Sequence, residues 1–320
     1  MSRKRYRMER YMKTVYMING FLESGKSEFI RYTLEQPYFQ IREKTLLILC
    51  EEGEVEFDEK LLKKSRTVME IIEEKEDFTP EHLIALEKKH KPERIIIEYN
   101  GMWNFKECKL PWHWKIEQQI TTIDASTFPM YYTNMKSLLA EMLRGSEMII
   151  FNRCDGIGDL SSYKRNVKAI NQKAEIIFED ANGEVNAIME DELPYDLSQD
   201  TLVLDNTGYG VWYLDALDNA RRYLDKTMVF TAMVLKPKGF PEDYFVPGRM
   251  AMTCCAEDMA FLGFACEYEK APELSDKEWV RVTATMSWEY WADYDGEGPV
   301  LHAVSVEKTK APKKEIIDFS

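Results

Sequence analysis

The chain has 320 residues, 45% of them hydrophobic and 31% charged, with 56 Asp and Glu against 42 Lys and Arg for a net charge of −14. This composition suits a folded protein with room for two domains, and no apolar stretch approaches the ~20 residues needed to cross a bilayer. The acidic balance disfavours a nucleic-acid partner.

Residues 1–12 read as a basic, solvated tail with no apolar signal core behind it, which fits a cytoplasmic protein. The six cysteines are scattered except for Cys254-Cys255, as expected in a reducing compartment rather than in a disulfide framework. An apolar strand at 15–18 and a helical run at 28–34 flank Gly20-Phe21-Leu22-Glu23-Ser24-Gly25-Lys26-Ser27. This is a complete phosphate-binding loop, G-x-x-x-x-G-K-[ST], in the strand–loop–helix setting the motif requires. Its backbone N–H groups curl toward phosphate oxygens, and the helix N-terminus adds positive potential. Lys26 would reach the β/γ-phosphates, and the Ser27 hydroxyl would ligate Mg2+.

The strand-like run 45–50 leads into an acidic segment, 51–58, in which Glu51 and Asp58 are candidates to hold Mg2+ or orient water. A charge run at 70–77 reads as a solvated face. A helix at 80–89 precedes the strand 94–98, which ends in Glu98, with Gly101 three residues on. An acid there lies at the sheet's C-terminal edge beside the phosphates, and glycine admits a backbone N–H to the γ-phosphate. His113, between Trp112 and Trp114, reads as part of an aromatic loop packed on the domain. After strand 120–124 and helix 135–144, strand 148–152 ends in Asn152-Arg153-Cys154-Asp155. The Asp155 carboxylate would accept from guanine N1–H and the exocyclic amine, a pair that adenine does not offer. Helix 162–171 and strand 175–178 follow. Apolar runs separated by helices predict an α/β P-loop fold over 13–205, a mostly parallel sheet flanked by helices.

The segment Asp205-Asn206-Thr207-Gly208-Tyr209-Gly210 breaks this pattern, and 206–226 reads as a linker containing a helix. Strand-like runs at 228–235, 249–253, 279–286 and 300–307 then predict a small β-rich, OB-like barrel over 227–308, followed by a weakly ordered tail, 309–320. Cys254 and Cys255 are a speculative transition-metal site, for Zn2+ or a similar ion, with Asp258, Cys266 and His302 as further donors. Neighbours on a regular strand face opposite ways, so a shared ion requires a bulge. The aromatic residues of 288–294 are interleaved with acids and read as a core edge or protein-contact surface.

Taken in order, 20–27, 50–58, 98–101 and 152–155 resemble the motifs of CobW-like P-loop GTPases, the CobW/HypB/UreG type. The resemblance spans about residues 13–190. It implies Mg2+-dependent GTP hydrolysis, metal-ion handling for a client metalloprotein, and a capacity to form homodimers. It implies nucleotide contacts from Gly20, Glu23, Ser24, Gly25, Lys26, Ser27, Gly101, Asn152, Arg153 and Asp155. Lys26, Glu98, Asp58 and Glu51 would take catalytic roles, and Ser27, Asp58 and Glu98 would hold Mg2+. Three positions depart from the family pattern: Glu23 replaces glycine, Cys50 asparagine and Arg153 lysine. The family's Cys-x-Cys-Cys motif is absent, so no soft thiolate site is expected in the first domain. Residues 228–310 are similar to a domain of permease-associated subunits. The alternative to a GTPase switch is therefore a weakly hydrolysing or non-hydrolysing adaptor whose β-domain binds a membrane permease.

Overall fold

The structure, a computed structural model, describes residues 12–51, 57–158, 160–185, 193–252, 259–294 and 296–318. Internal contacts divide it into two units, 1–160 with 173–188 and 161–172 with 189–320. Cys254, Cys255 and Asp258 lie outside the described residues, as does most of the acidic segment after Glu51.

The strands of the first unit are β1 (Lys13–Asn19), β2 (Thr45–Leu49), β3 (Thr67–Ile71), β4 (Arg94–Glu98), β5 (Trp114–Asp124), β6 (Met148–Asn152), β7 (Glu175–Asp180) and β8 (Gly183–Glu184). They form one sheet in the order β3-β2-β4-β1-β5-β6-β7-β8. Neighbours from β3 to β7 pair in parallel, and β8 returns antiparallel on β7. The helices α1 (Lys26–Glu35), α2 (Glu59–Lys64), α3 (Pro80–His90), α4 (Phe128–Asn134) and α5 (Lys136–Arg144) lie in the crossovers that parallel strands require.

Successive strand residues face opposite ways, so the apolar runs feed two cores. Met17, Leu46, Ile48 and Ile97 face one with Leu83 of α3, while Ile18, Leu47 and Ile96 face the other with Ile30 and Leu34 of α1. Each such side chain contributes about 1.5–3 kcal/mol on full burial. β1 lies between β4 and β5, so its C-terminal end opens into the crevice where the strand order reverses.

The second unit contains α6 (Leu160–Ile170) from Ser161 onward, β9 (Thr201–Leu204), α7 (Asn206–Asn219), β10 (Thr227–Leu235), β11 (Tyr244–Met252), β12 (Met259–Gly263), β13 (Cys266–Glu267), β14 (Trp279–Trp291), β15 (Gly296–Lys308) and β16 (Ile316–Asp318). Pairing runs β11-β13-β15-β14-β10 and returns from β10 to β11 through Met233–Gly248 and Val234–Pro247, which closes the expected barrel. Alternate residues of β10 and β14 point inward, among them Phe230, Val234, Val280 and Val282.

Three segments differ from expectation. The glycine-bearing stretch 205–210 opens α7, because the Asp205 carboxylate accepts from the Gly208 N–H at 2.7 Å and caps the helix. The expected linker helix supplies core: Trp212 lies 5.4 Å from Phe230 and 5.5 Å from Phe264, ring to ring. The tail contains β16, parallel to β11. Buried Arg249 accounts for it by donating to the Lys314 and Glu315 carbonyls at 2.6 and 3.2 Å.

Candidate functional site

The chain leaves β1 directly into the loop 20–27, and local sterics dictate its small residues. Gly25 has φ +90°, and a Cβ there would stand 2.3 Å from the Asn152 side-chain nitrogen. At Gly101 a Cβ would stand 2.2 Å from the Gly20 carbonyl oxygen, so the segment after β4 packs directly against the loop. Glu23 adopts φ +61° where glycine is the family's residue, a left-handed conformation costing about 1–2 kcal/mol for a residue with a side chain. Its side chain is exposed. Ser24 Oγ lies 3.0 Å from Thr122 Oγ1, which ties the loop to β5.

Lys26 is 3% exposed and fully engaged. Its ammonium donates to the Gly20 and Phe21 carbonyls at 3.0 and 2.9 Å and to the Glu51 carboxylate. Beside it the Ser27 hydroxyl donates to Glu98 at 2.9 Å. Glu98 is 2% exposed, and burial pushes its carboxyl above the ordinary value; Lys26 and Ser27 oppose that rise, and Glu51 adds to it. A hydroxyl and a buried carboxylate in contact are hard oxygen donors of the kind Mg2+ takes, so these residues fit that ion.

On the other side, Asn152 donates from its side chain to the Ser24 carbonyl at 2.7 Å. Arg153 donates to the Glu23 carbonyl at 2.7 Å and to Asp124 at 2.6 Å, leaving its side chain 46% exposed. Burial works against the Asp124 charge, but hydrogen bonds from Ser126 and Arg153 hold its carboxyl below the usual range. Asp155 is exposed and accepts from the Ala181 N–H at 3.2 Å.

The structure thus gathers Gly20, Ser24, Gly25, Lys26, Ser27, Glu51, Glu98, Gly101 and Asn152 around the loop. Asp58 is not drawn in by any described contact; its carboxylate accepts from the Lys60 N–H at 2.9 Å and caps α2. Thr122 and Asp124 belong to the loop's support and carried no motif; their signal is the polar end of a strand next to β1. Cys50 is buried in the apolar core, where burial pushes its thiol up. In the acidic run, Glu70 pairs with Lys89 and His90, and His113 lies 2.7 Å from Glu87. Cys266 and His302 do not complete one site. Cys266 points into the barrel core, whereas His302 is half-buried and faces Glu267 and Glu289.

A family model described as CobW/HypB/UreG, nucleotide-binding domain, matches residues 14–178, just over half of the chain. A second, the DUF1980 C-terminal domain, matches 180–317. Among similar solved structures, the hydrogenase maturation factor HypB from Archaeoglobus fulgidus is 17% identical, with 56% of this chain and 91% of that chain covered and a TM-score of 0.40. Zn(II)-bound YjiA GTPase from E. coli is 16% identical, with 79% and 89% covered and a TM-score of 0.41. HypB from Helicobacter pylori in complex with nickel is 14% identical, with 56% and 83% covered and a TM-score of 0.38. No curated protein matches this chain. With its loop after β1, its buried acid at the end of β4 and its Asn-x-x-Asp segment at the end of β6, the chain belongs to the CobW/HypB/UreG family, whose members are GTPases.

Proposed function

We propose that the chain binds GTP at residues 20–27 and hydrolyses it with Mg2+, as a cytoplasmic nucleotide-dependent switch in metal-ion handling. The observation that carries this reading is the convergence of Lys26, Ser27 and Glu98 beneath a loop braced by Gly101 and Asn152. Lys26 would exchange Glu51 and two carbonyls for phosphate oxygens. Ser27 and Glu98 would hold Mg2+, which when bound supplies a Lewis acid that offsets phosphate charge. Asn152 fastens the end of β6 to the loop, and Asp155 would read guanine through its two N–H donors. The β-rich unit would pass a transition metal such as Zn2+, held at Cys254 and Cys255, to a client protein; a homodimer is compatible with this arrangement.

Phosphate release from GTP tests the reading. Release that requires Mg2+ and falls to background in Lys26→Ala and Glu98→Gln is expected; background release in the wild type overturns hydrolysis. A second reading, an adaptor that binds nucleotide and docks its β-domain on a permease, is favoured by the engagement of Lys26 with Glu51. It is distinguished by GTP binding without release.

A further inference from the structure

A polar row crosses the outer face of the barrel on four neighbouring strands. Phe245, Cys266, Leu301 and Met286 point into the core, so the adjoining Tyr244, Glu267, His302 and Ser287 point outward from β11, β13, β15 and β14. His302 sits in the middle. Its Nδ1 lies 2.8 Å from Glu267 Oε2, and its Nε2 lies 2.7 Å from Ser287 Oγ and 3.1 Å from Glu289 Oε1. The Ser287 hydroxyl donates to that same Glu289 oxygen at 2.6 Å.

These contacts resemble two arrangements, and local charge separates them. Ser287, His302 and Glu267 have the order of a nucleophile, base and orienting acid. Glu289, however, puts a negative charge where an acyl oxyanion would form. Glu267 and Glu289 flank the row from both sides of His302, and the Ser287 hydroxyl also turns toward Glu289. The surroundings select for positive charge.

The donor geometry agrees. In the neutral ring that keeps its proton on Nδ1 for Glu267, the Nε2 lone pair faces a carboxylate oxygen. A cation between them relieves that opposition. Nε2, Oγ and Oε1 form a triangle with edges of 2.6, 2.7 and 3.1 Å. Ligands about 2.0–2.1 Å from a small divalent ion stand close to such spacings on one octahedral face. Among the described residues, no three His, Cys, Asp or Glu side chains stand ready around one point. Here two residues of that kind are joined by a hydroxyl.

We propose that His302 Nε2, Glu289 and Ser287 bind a divalent first-row transition ion of the Zn2+, Co2+ or Ni2+ class, with solvent completing the shell. Imidazole with carboxylate is a donor set for these borderline ions. Glu267 is the positioning residue: by accepting from Nδ1–H it fixes the tautomer that bares Nε2. The site involves neither the nucleotide loop nor the cysteine pair.

The test titrates Zn2+ into chelator-treated, nucleotide-free full-length protein by calorimetry. Co2+ absorption in the visible is a second readout. Besides any ion held at the cysteine pair, the wild type is expected to bind one equivalent that His302→Gln and Glu289→Gln each lose and that the Cys254→Ser/Cys255→Ser protein keeps. Glu267→Gln is expected to weaken it about 10–100-fold. Far-ultraviolet circular dichroism establishes that each variant is folded. The proposal is overturned if both His302→Gln and Glu289→Gln keep the full wild-type stoichiometry, or if the wild type binds no ion. Since no nucleotide is present, either result leaves the GTP reading to its own experiment.

Discussion

Lys26 and Glu51 form a buried ion pair at the phosphate loop, their side chains 2% and 11% exposed. The ammonium that a triphosphate needs is therefore already neutralised from within, and phosphate must displace a carboxylate to reach it. Removing that competitor without removing the lysine separates the two effects. Glu51→Gln is expected to tighten GTP binding about tenfold, or ~1.4 kcal/mol, by calorimetric titration. Lys26→Ala leaves Glu51 buried without its cation and is expected to lower stability by about 3–5 kcal/mol in urea unfolding.

Glu98 sets a pH dependence of opposite sign to that of most paired carboxylates. Its folded value is raised above the ordinary 4.5, first by burial and then by Glu51. The folded state thus binds the proton more readily than the unfolded chain. Its contribution to stability is fully present below about pH 4.5 and is lost as pH rises through the higher folded value. Without Mg2+ or nucleotide, Glu98→Gln is expected to melt at a higher temperature than the wild type at pH 7–8, with the gap closing toward pH 4. Thermal scans across that range check it.

Gly101 tolerates no side chain, because the loop backbone occupies the space. Gly101→Ala is expected to push Gly20 outward, lowering stability by about 1–3 kcal/mol and weakening GTP binding at least tenfold. Titration and melting of the same sample check both effects.

Arg249 holds the last strand by side-chain hydrogen bonds to two backbone carbonyls and to Asn206. Arg249→Leu is expected to release residues 314–318 from the barrel at a cost of about 1.5–3 kcal/mol. Hydrogen exchange should show fast exchange confined to β16 and its partner edge of β11.

Much of the candidate site was legible because its chemistry sits in short contiguous motifs at strand ends. The loop 20–27, Glu98 and Asn152 are of this kind, and the apolar runs separated by helices anticipated the parallel sheet. The support of the loop was not legible. Ser24 meets Thr122 across 98 residues and Arg153 meets Asp124 across 29, contacts that exist only once β5 is known to lie between β1 and β6. Local signals also misled where tertiary context decides. Gly208 and Gly210 suggested a break, yet the cap at Asp205 places them inside a helix. The C-terminal tail looked unstructured because its partner, Arg249, lies far back in the chain.

Calorimetric titration of GTP and of ATP, each with Mg2+, into the wild-type chain and into Asp155→Asn and Lys26→Ala separates guanine recognition from general nucleotide binding. One GTP site that Lys26→Ala abolishes, ATP binding at least about 100-fold weaker, and a loss of that preference in Asp155→Asn are expected. Equal affinity for the two nucleotides, or no binding of GTP, would contradict guanine recognition.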